Sequence, residues 1–230
     1  MTEEASAEAA PAPASTKIAV WDLPTRLFHW LLVALIAFSW WTAEEEMLDL
    51  HLWSGIAVLT LLIFRLLWGL FGSSTARFAN FVHGPAAVIG YLRGQWRGIG
   101  HSPIGALSVV ALLGALAVQV GLGLFSSDED GLLLGPLSGF ISGDASEEAT
   151  ELHEDFFNVL LLFIGIHVAA VLFYALAKRK NLVGPMISGR AAVDSHAEPM
   201  RPGKWWVALL CLIAAIAISR WILAGAPPLG

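Results

Sequence analysis

Cysteine occurs once in this chain, as Cys211 inside an apolar run. A lone thiol excludes an intrachain disulfide and any cysteine-ligated zinc or iron–sulfur centre. It also excludes covalent haem attachment through a Cys-x-x-Cys-His segment. Charge is scarce as well: 14% of the 230 residues are Asp, Glu, Lys or Arg, against roughly 25% in soluble domains. No flavin or nicotinamide fingerprint, hydrolytic triad or metal-hydrolase motif is present, and no internal repeat of fixed period. Residues 1–16, MTEEASAEAAPAPAST, lack the basic region and apolar core of a secretory signal. Their Ala, Pro and Glu content predicts a disordered tail. What the chain has in abundance is apolar surface, at 57% hydrophobic with ten Trp, several of them where apolar runs meet polar ones. That is the composition of an integral membrane protein with interfacial aromatic belts. Nucleic acid is not expected among its partners.

Five apolar runs approach or exceed the roughly 20 residues a spanning helix needs. They extend from about Arg26 to Ala43, His51 to Leu70, Pro103 to Phe125, Leu152 to Tyr174 and Trp205 to Ala224. Pro24 after Trp21 and Asp22 reads as a turn into the first helix, with Thr25 as its cap. The acidic turn before His51 is so short that the first two spans must form an antiparallel hairpin. Residues 71–100 make a connection in which AAVIGYLRG predicts a short interfacial helix. Glycines at 105, 114, 121 and 123 allow close approach of a helix or a cofactor along the third span. The predicted fold is all-α: a four-helix transmembrane bundle over residues 17–190, a polar linker over 191–204, and an additional C-terminal transmembrane helix over 205–224.

Sorting the charges orients the bundle. With five spans, the N-terminus and the connections 71–100 and 178–204 share one side. That side carries 11 of the 13 Lys and Arg residues, whereas the connections 44–50 and 126–150 carry none. Excess Lys and Arg marks the cytoplasm. The expected localisation is the bacterial inner membrane, N-terminus cytoplasmic and C-terminus periplasmic.

The stretch that organises the chain is LHEDFFNVLLLFIGIHVAAVLFY, which carries His153 near one end and His167 near its middle. An ionisable side chain within a span marks a functional site by default. Fourteen residues advance a helix by about 21 Å and return it to nearly the same face. Two imidazoles on one face at two depths suit two haems, each taking histidine as an axial ligand. By depth, His51 pairs with His153 for an outer haem and His29 with His167 for an inner one. Taken singly, each histidine is more often an interfacial or hydrogen-bonding residue; it is the matched depths of four that favour ligation. His101, at the cytoplasmic entrance of the third span, is the rival to His29, or else it serves a propionate or caps Pro103. His83 and His196 fall in polar connections and are expected to be solvated or interfacial. Arg65 follows His51 by 14 residues, so it faces the bundle at the inner level, where a haem propionate is a partner of the right geometry. Snorkelling to the nearby surface is the alternative. Gly55, one turn after His51, leaves room for a porphyrin face.

The segments WDLPTRLFHW, LHLWSG, FRLLWG, GHSPIGALS and LHE…FN…IHVAA…F resemble the bacterial cytochrome b561 family, and within it the b-type cytochrome subunits of nickel-dependent hydrogenases. The resemblance covers about residues 18–189. It implies four core helices holding two non-covalent b haems, with ligands at His29, His51, His153 and His167. The fifth span departs from that pattern.

The expected function is therefore a membrane-bound diheme cytochrome passing electrons between the quinone pool and a redox partner, hydrogenase-like or a c-type cytochrome, as an electron-transfer subunit rather than a stand-alone enzyme. Expected partners are membrane lipid, quinone and a periplasmic or membrane redox protein, with a homodimer left open. Two other classes compete. One is a self-contained superoxide or quinone oxidoreductase, and the other is a haem-free transporter or membrane anchor that uses its histidines for proton relay.

Overall fold

The computed structural model describes residues 16–127, 134–193 and 197–228. The tail over residues 1–15, the acidic residues Asp128, Glu129 and Asp130, and His196 lie outside the described residues.

Helix α1 (Leu23–Glu44) opens at Asp22, whose carboxylate accepts the backbone N–H of Thr25 at 2.8 Å. This corrects the expectation that Thr25 is the cap: Thr25 supplies the donor and Asp22 the acceptor, the usual division at a helix N-terminus. Pro24 sits in the first turn, where a missing N–H costs nothing. After a turn through Glu46 at φ 56°, α2 (Leu48–Phe71) runs back along α1.

Two short helices, α3 (Phe78–Phe81) and α4 (Pro85–Leu92), occupy the next connection. Helix α5 (Pro103–Phe125) is capped by the Ser102 hydroxyl. A 3-10 turn at Ser138–Phe140 precedes α6 (Gly143–Leu176). At 34 residues, α6 starts nine positions before Leu152, so residues 143–150 of the expected connection 126–150 are helix. Ser142 caps it by accepting the Ala145 N–H at 3.3 Å.

Helix α7 (Val183–Ser188) ends at Gly189, which takes the left-handed conformation at φ 79°. Strand β1 (Thr16–Ala19) then pairs antiparallel with β2 (Arg190–Val193), Thr16 opposite Val193 and Ala19 opposite Arg190. This two-stranded ribbon crosses both divisions drawn from composition, at residues 16/17 and 190/191. Helix α8 (Trp205–Leu223) closes the described chain.

Helix α2 is the hub. It packs on α1, α8 and, more lightly, α5, while α5 packs along α6. One apolar cluster joins Phe28, Phe64, Trp68, Cys211 and Ala215 across α1, α2 and α8. Another joins Val58, Leu62, Ala115, Leu116 and Leu160 across α2, α5 and α6. The remaining helices turn large apolar side chains outward, Leu162 at 61% and Ile166 at 55% exposure among them. A lipid environment matches that surface, and helices satisfy their backbone internally as a bilayer demands. Among the described residues, five helices are long and apolar enough to cross a membrane. The chain is an all-α integral membrane protein.

Candidate functional site

Helices α1, α5 and α8 begin, and α2 and α6 end, at what is termed here the basic end; the opposite end is acidic. His29, in the second turn of α1, meets His167 of α6 with ring centroids 6.5 Å apart and planes 53° inclined. The His29 ring also stands edge-on to Trp30, at 4.9 Å and 88°. Its Nδ1 is buried with no partner.

At the acidic end His51, in the first turn of α2, meets His153 of α6, with centroids 5.9 Å apart and planes at 84°. Here both rings are oriented from behind. His51 Nδ1 lies 2.9 Å from the Ser39 carbonyl and His153 Nδ1 lies 2.9 Å from the Gln119 carbonyl. A carbonyl only accepts, so each Nδ1 carries the proton and each Nε2 is left as a lone-pair donor. This is the usual support of a metal-bound histidine. Gly123 of α5 makes room for the arrangement, because a Cβ there would fall 2.8 Å from His153 Cε1.

The residues present fit haem. A metal–imidazole bond is about 2.0 Å, so two rings sharing one iron have centroids roughly 6 Å apart, close to both separations. Helices α1 and α6 make almost no direct backbone contact although each contributes His29 or His167. The Cβ position of Gly55 faces open space, as a porphyrin face requires. Among the described residues no three His, Cys, Asp or Glu side chains converge as a metal site. Paired histidines without further ligands suit an iron whose other four bonds come from a macrocycle.

The other expected residues fall elsewhere. Arg65 is 2% exposed; its Nη1 donates to the Ala76 carbonyl at 3.2 Å, and the guanidinium lies 4.7 Å from the Phe78 ring centre. Its Nη2 is buried without a partner. It does not snorkel. His101 packs between Trp21 and Phe81, at 4.6 and 4.5 Å between centroids. Burial, and then the Arg65 charge, push its pKa down to about 3, so it is neutral. His83 Nδ1 reaches the Phe81 carbonyl at 2.9 Å.

The chain matches the model of the family described as prokaryotic cytochrome b561 over residues 20–189, which includes all four paired histidines. It belongs to the prokaryotic cytochrome b561 family. No curated protein and no solved structure gave a match. The protein is thus a multi-pass bacterial membrane cytochrome of the b type, binding haem b and serving electron transfer.

Two residues that position this cytochrome's histidines escaped the sequence reading. Gln119 is a buried amide in an apolar helix, a signal that was available. Ser39 acts through its backbone carbonyl, which no sequence pattern reveals. Asp22 caps α1 and also accepts Trp68 Nε1 at 3.0 Å, tying α1 to α2 beside Arg65.

Proposed function

We propose that the cytochrome holds two haems, one between His29 and His167 and one between His51 and His153. They would carry electrons between the membrane quinone pool and a redox protein at the acidic face. The observation carrying this reading is the meeting of four histidines from three helices as two pairs on a single face of α6. Residues 17–190 would form the haem-binding unit, with 205–224 an added helix braced on α2. The near-complete segregation of Lys and Arg supports a cytoplasmic basic end and a periplasmic acidic end.

Each haem supplies a one-electron iron centre; the chain supplies its position and surroundings. His153 and His51 would present Nε2 to the iron, their rings fixed by the Gln119 and Ser39 carbonyls. Gly55 would leave space for a porphyrin face and Gly123 for the His153 ring. The unpartnered Nη2 of Arg65 would receive a propionate of the inner haem, which offsets the cost of a buried guanidinium. His101, boxed by two aromatic rings, would stay a neutral packing residue.

The test is a pyridine haemochrome assay with protein quantitation on the purified cytochrome. Two non-covalent b haems per chain are expected. One haem per chain would break the pairing, and a colourless protein would return the reading to a transporter or anchor.

A further inference from the structure

A groove of about 510 Å³ opens at the basic end between α1 and α7, lined by Leu23, Arg26, Leu27, Trp30, Met186 and Ile187. That volume lies within the range of small-molecule sites. Leu23, Leu27 and Ile187 are each more than half exposed, so in a bilayer the mouth faces lipid. One wall is Trp30, whose other edge contacts the His29 ring and whose Nε1 donates to the Met186 carbonyl at 3.3 Å. The one charged lining group is Arg26. Its Nη1 donates to the Ile187 carbonyl, and its Nε is buried without a partner. Gly189 lets the guanidinium lie flat, since a Cβ there would come 3.3 Å from Arg26 Cζ. A guanidinium carries five N–H donors; with Nε buried and one Nη1 hydrogen engaged, the remaining Nη hydrogens are those a ligand could meet.

An occupant must arrive through lipid, fit apolar walls, offer an acceptor oxygen to Arg26 and lie one aromatic ring away from His29. We propose that this groove is where a lipid-soluble quinone exchanges electrons with the cytochrome, an inference that rests on the two-haem quinone reading above. The headgroup lies against Trp30 with one oxygen toward Arg26, and the tail extends into the bilayer. Oxidising one quinol releases two electrons and two protons. The electrons would pass singly to the iron at His29, the first moving on to the iron at His51–His153 before the second arrives, so that each ferric centre gains one electron, and the protons would leave to water at the basic end. Quinone reduction is the same step reversed.

Photolabelling the holo-cytochrome in lipid nanodiscs with an azidoquinone, followed by peptide mass spectrometry, tests the site. The label should fall on residues 23–30 or 183–188 and be displaced by excess decylubiquinone, but not by excess phosphatidylglycerol. Leu27→Trp, which fills the groove from its exposed side, should slow haem reduction by quinol about 10-fold or more, with both haems retained and dithionite reduction unchanged. Label on another helix, or wild-type quinol rates in Leu27→Trp, would overturn the proposal. Displacement by phosphatidylglycerol alone would also overturn it and assign the groove to a phospholipid. If quinol failed to reduce the wild-type haems at all, the quinone reading itself would fall along with the site.

Discussion

Gln119 and His153 hold each other through backbone and side chain across the α5–α6 interface, the Gln119 amide also lying 3.3 Å from both His153 ring nitrogens. The Gln119 carbonyl accepts His153 Nδ1–H at 2.9 Å, and the Gln119 side-chain amide donates to the His153 carbonyl at the same distance. The first contact orients the ring, and the second joins two helices at the level where that ring is needed. Removing the amide while keeping the backbone separates the two roles. Gln119→Leu should retain the outer haem and lower stability by about 0.6 kcal/mol, the average for interhelical hydrogen bonds in membranes. Chemical denaturation followed by the haem spectrum would measure it; loss of the haem would mean that the side chain, too, orients the ligand.

Gly123→Val is the complementary change. Any Cβ at position 123 enters the space of the His153 ring, so the imidazole must shift or the helices must part. The outer haem should be lost or become high-spin, and the inner haem, about 21 Å away along α6, should keep its spectrum. Low-temperature optical and EPR spectra of the variant decide this.

The four histidines make separable predictions. His153→Ala or His51→Ala should remove the outer haem alone, and His167→Ala or His29→Ala the inner haem alone. His101→Ala should leave both in place. Haem-to-protein ratios and resolved α-bands report each case; loss of the inner haem on changing His101 would move that ligand to the third span.

His101 should instead mark itself in acid. Its folded pKa, near 3, lies below the unfolded value of about 6.5. Above pH 6.5 both states are neutral at this residue and the shift has no effect. As pH falls from about 6.5 toward 3, the unfolded chain takes up a proton that the folded one refuses, so stability declines. His101→Phe should flatten this part of the melting-temperature profile in detergent. An unchanged acid slope would place the responsible group elsewhere.

The acidic end predicts a salt effect. Glu44, Glu45, Glu46 and Asp49 are exposed around the α1–α2 turn, and Asp144, Glu147, Glu148, Glu151, Glu154 and Asp155 along the first turns of α6. A negative rim beside the His51–His153 pair would steer a basic redox protein, raising association rates about 10-fold or more. Stopped-flow oxidation of the reduced cytochrome by such a partner should slow steeply with salt, as screening shortens to about 8 Å at physiological ionic strength. Neutralising Glu147, Glu148 and Glu151 should have the same effect at low salt. A flat salt dependence would leave these carboxylates with a topological role only.

The spans were legible because hydrophobic length is a local property: the third span runs Pro103–Phe125 as expected, and the others differ by a few residues at their ends. The exception is α6, where acidic residues beginning at Asp144 hid a helical start. Length and hydropathy place the membrane segment, whereas the Ser142 cap decides where the helix begins. The spacing of His153 and His167 on one helix face was equally legible, since it follows from helical geometry alone. Which rings meet them was a matter of depth in the sequence and of distance in the fold.

Other features belong to tertiary structure. The β1–β2 ribbon joins TKIA to RAAV, two four-residue stretches too short to announce strands, whose pairing depends on the bundle bringing distant segments together. Arg65 was readable as an inward-facing charge, but its Ala76 and Phe78 contacts arise only when the connection after α2 folds over it. His101 stood as a rival to His29 because depth is one-dimensional; the Trp21 and Phe81 rings around it come from two other parts of the chain. Spacing along a helix sets which face and depth a side chain occupies. Its neighbours are set by how helices and connections pack, and that is why the chemistry of Arg65, His101, Gln119 and Ser39 appears only in three dimensions.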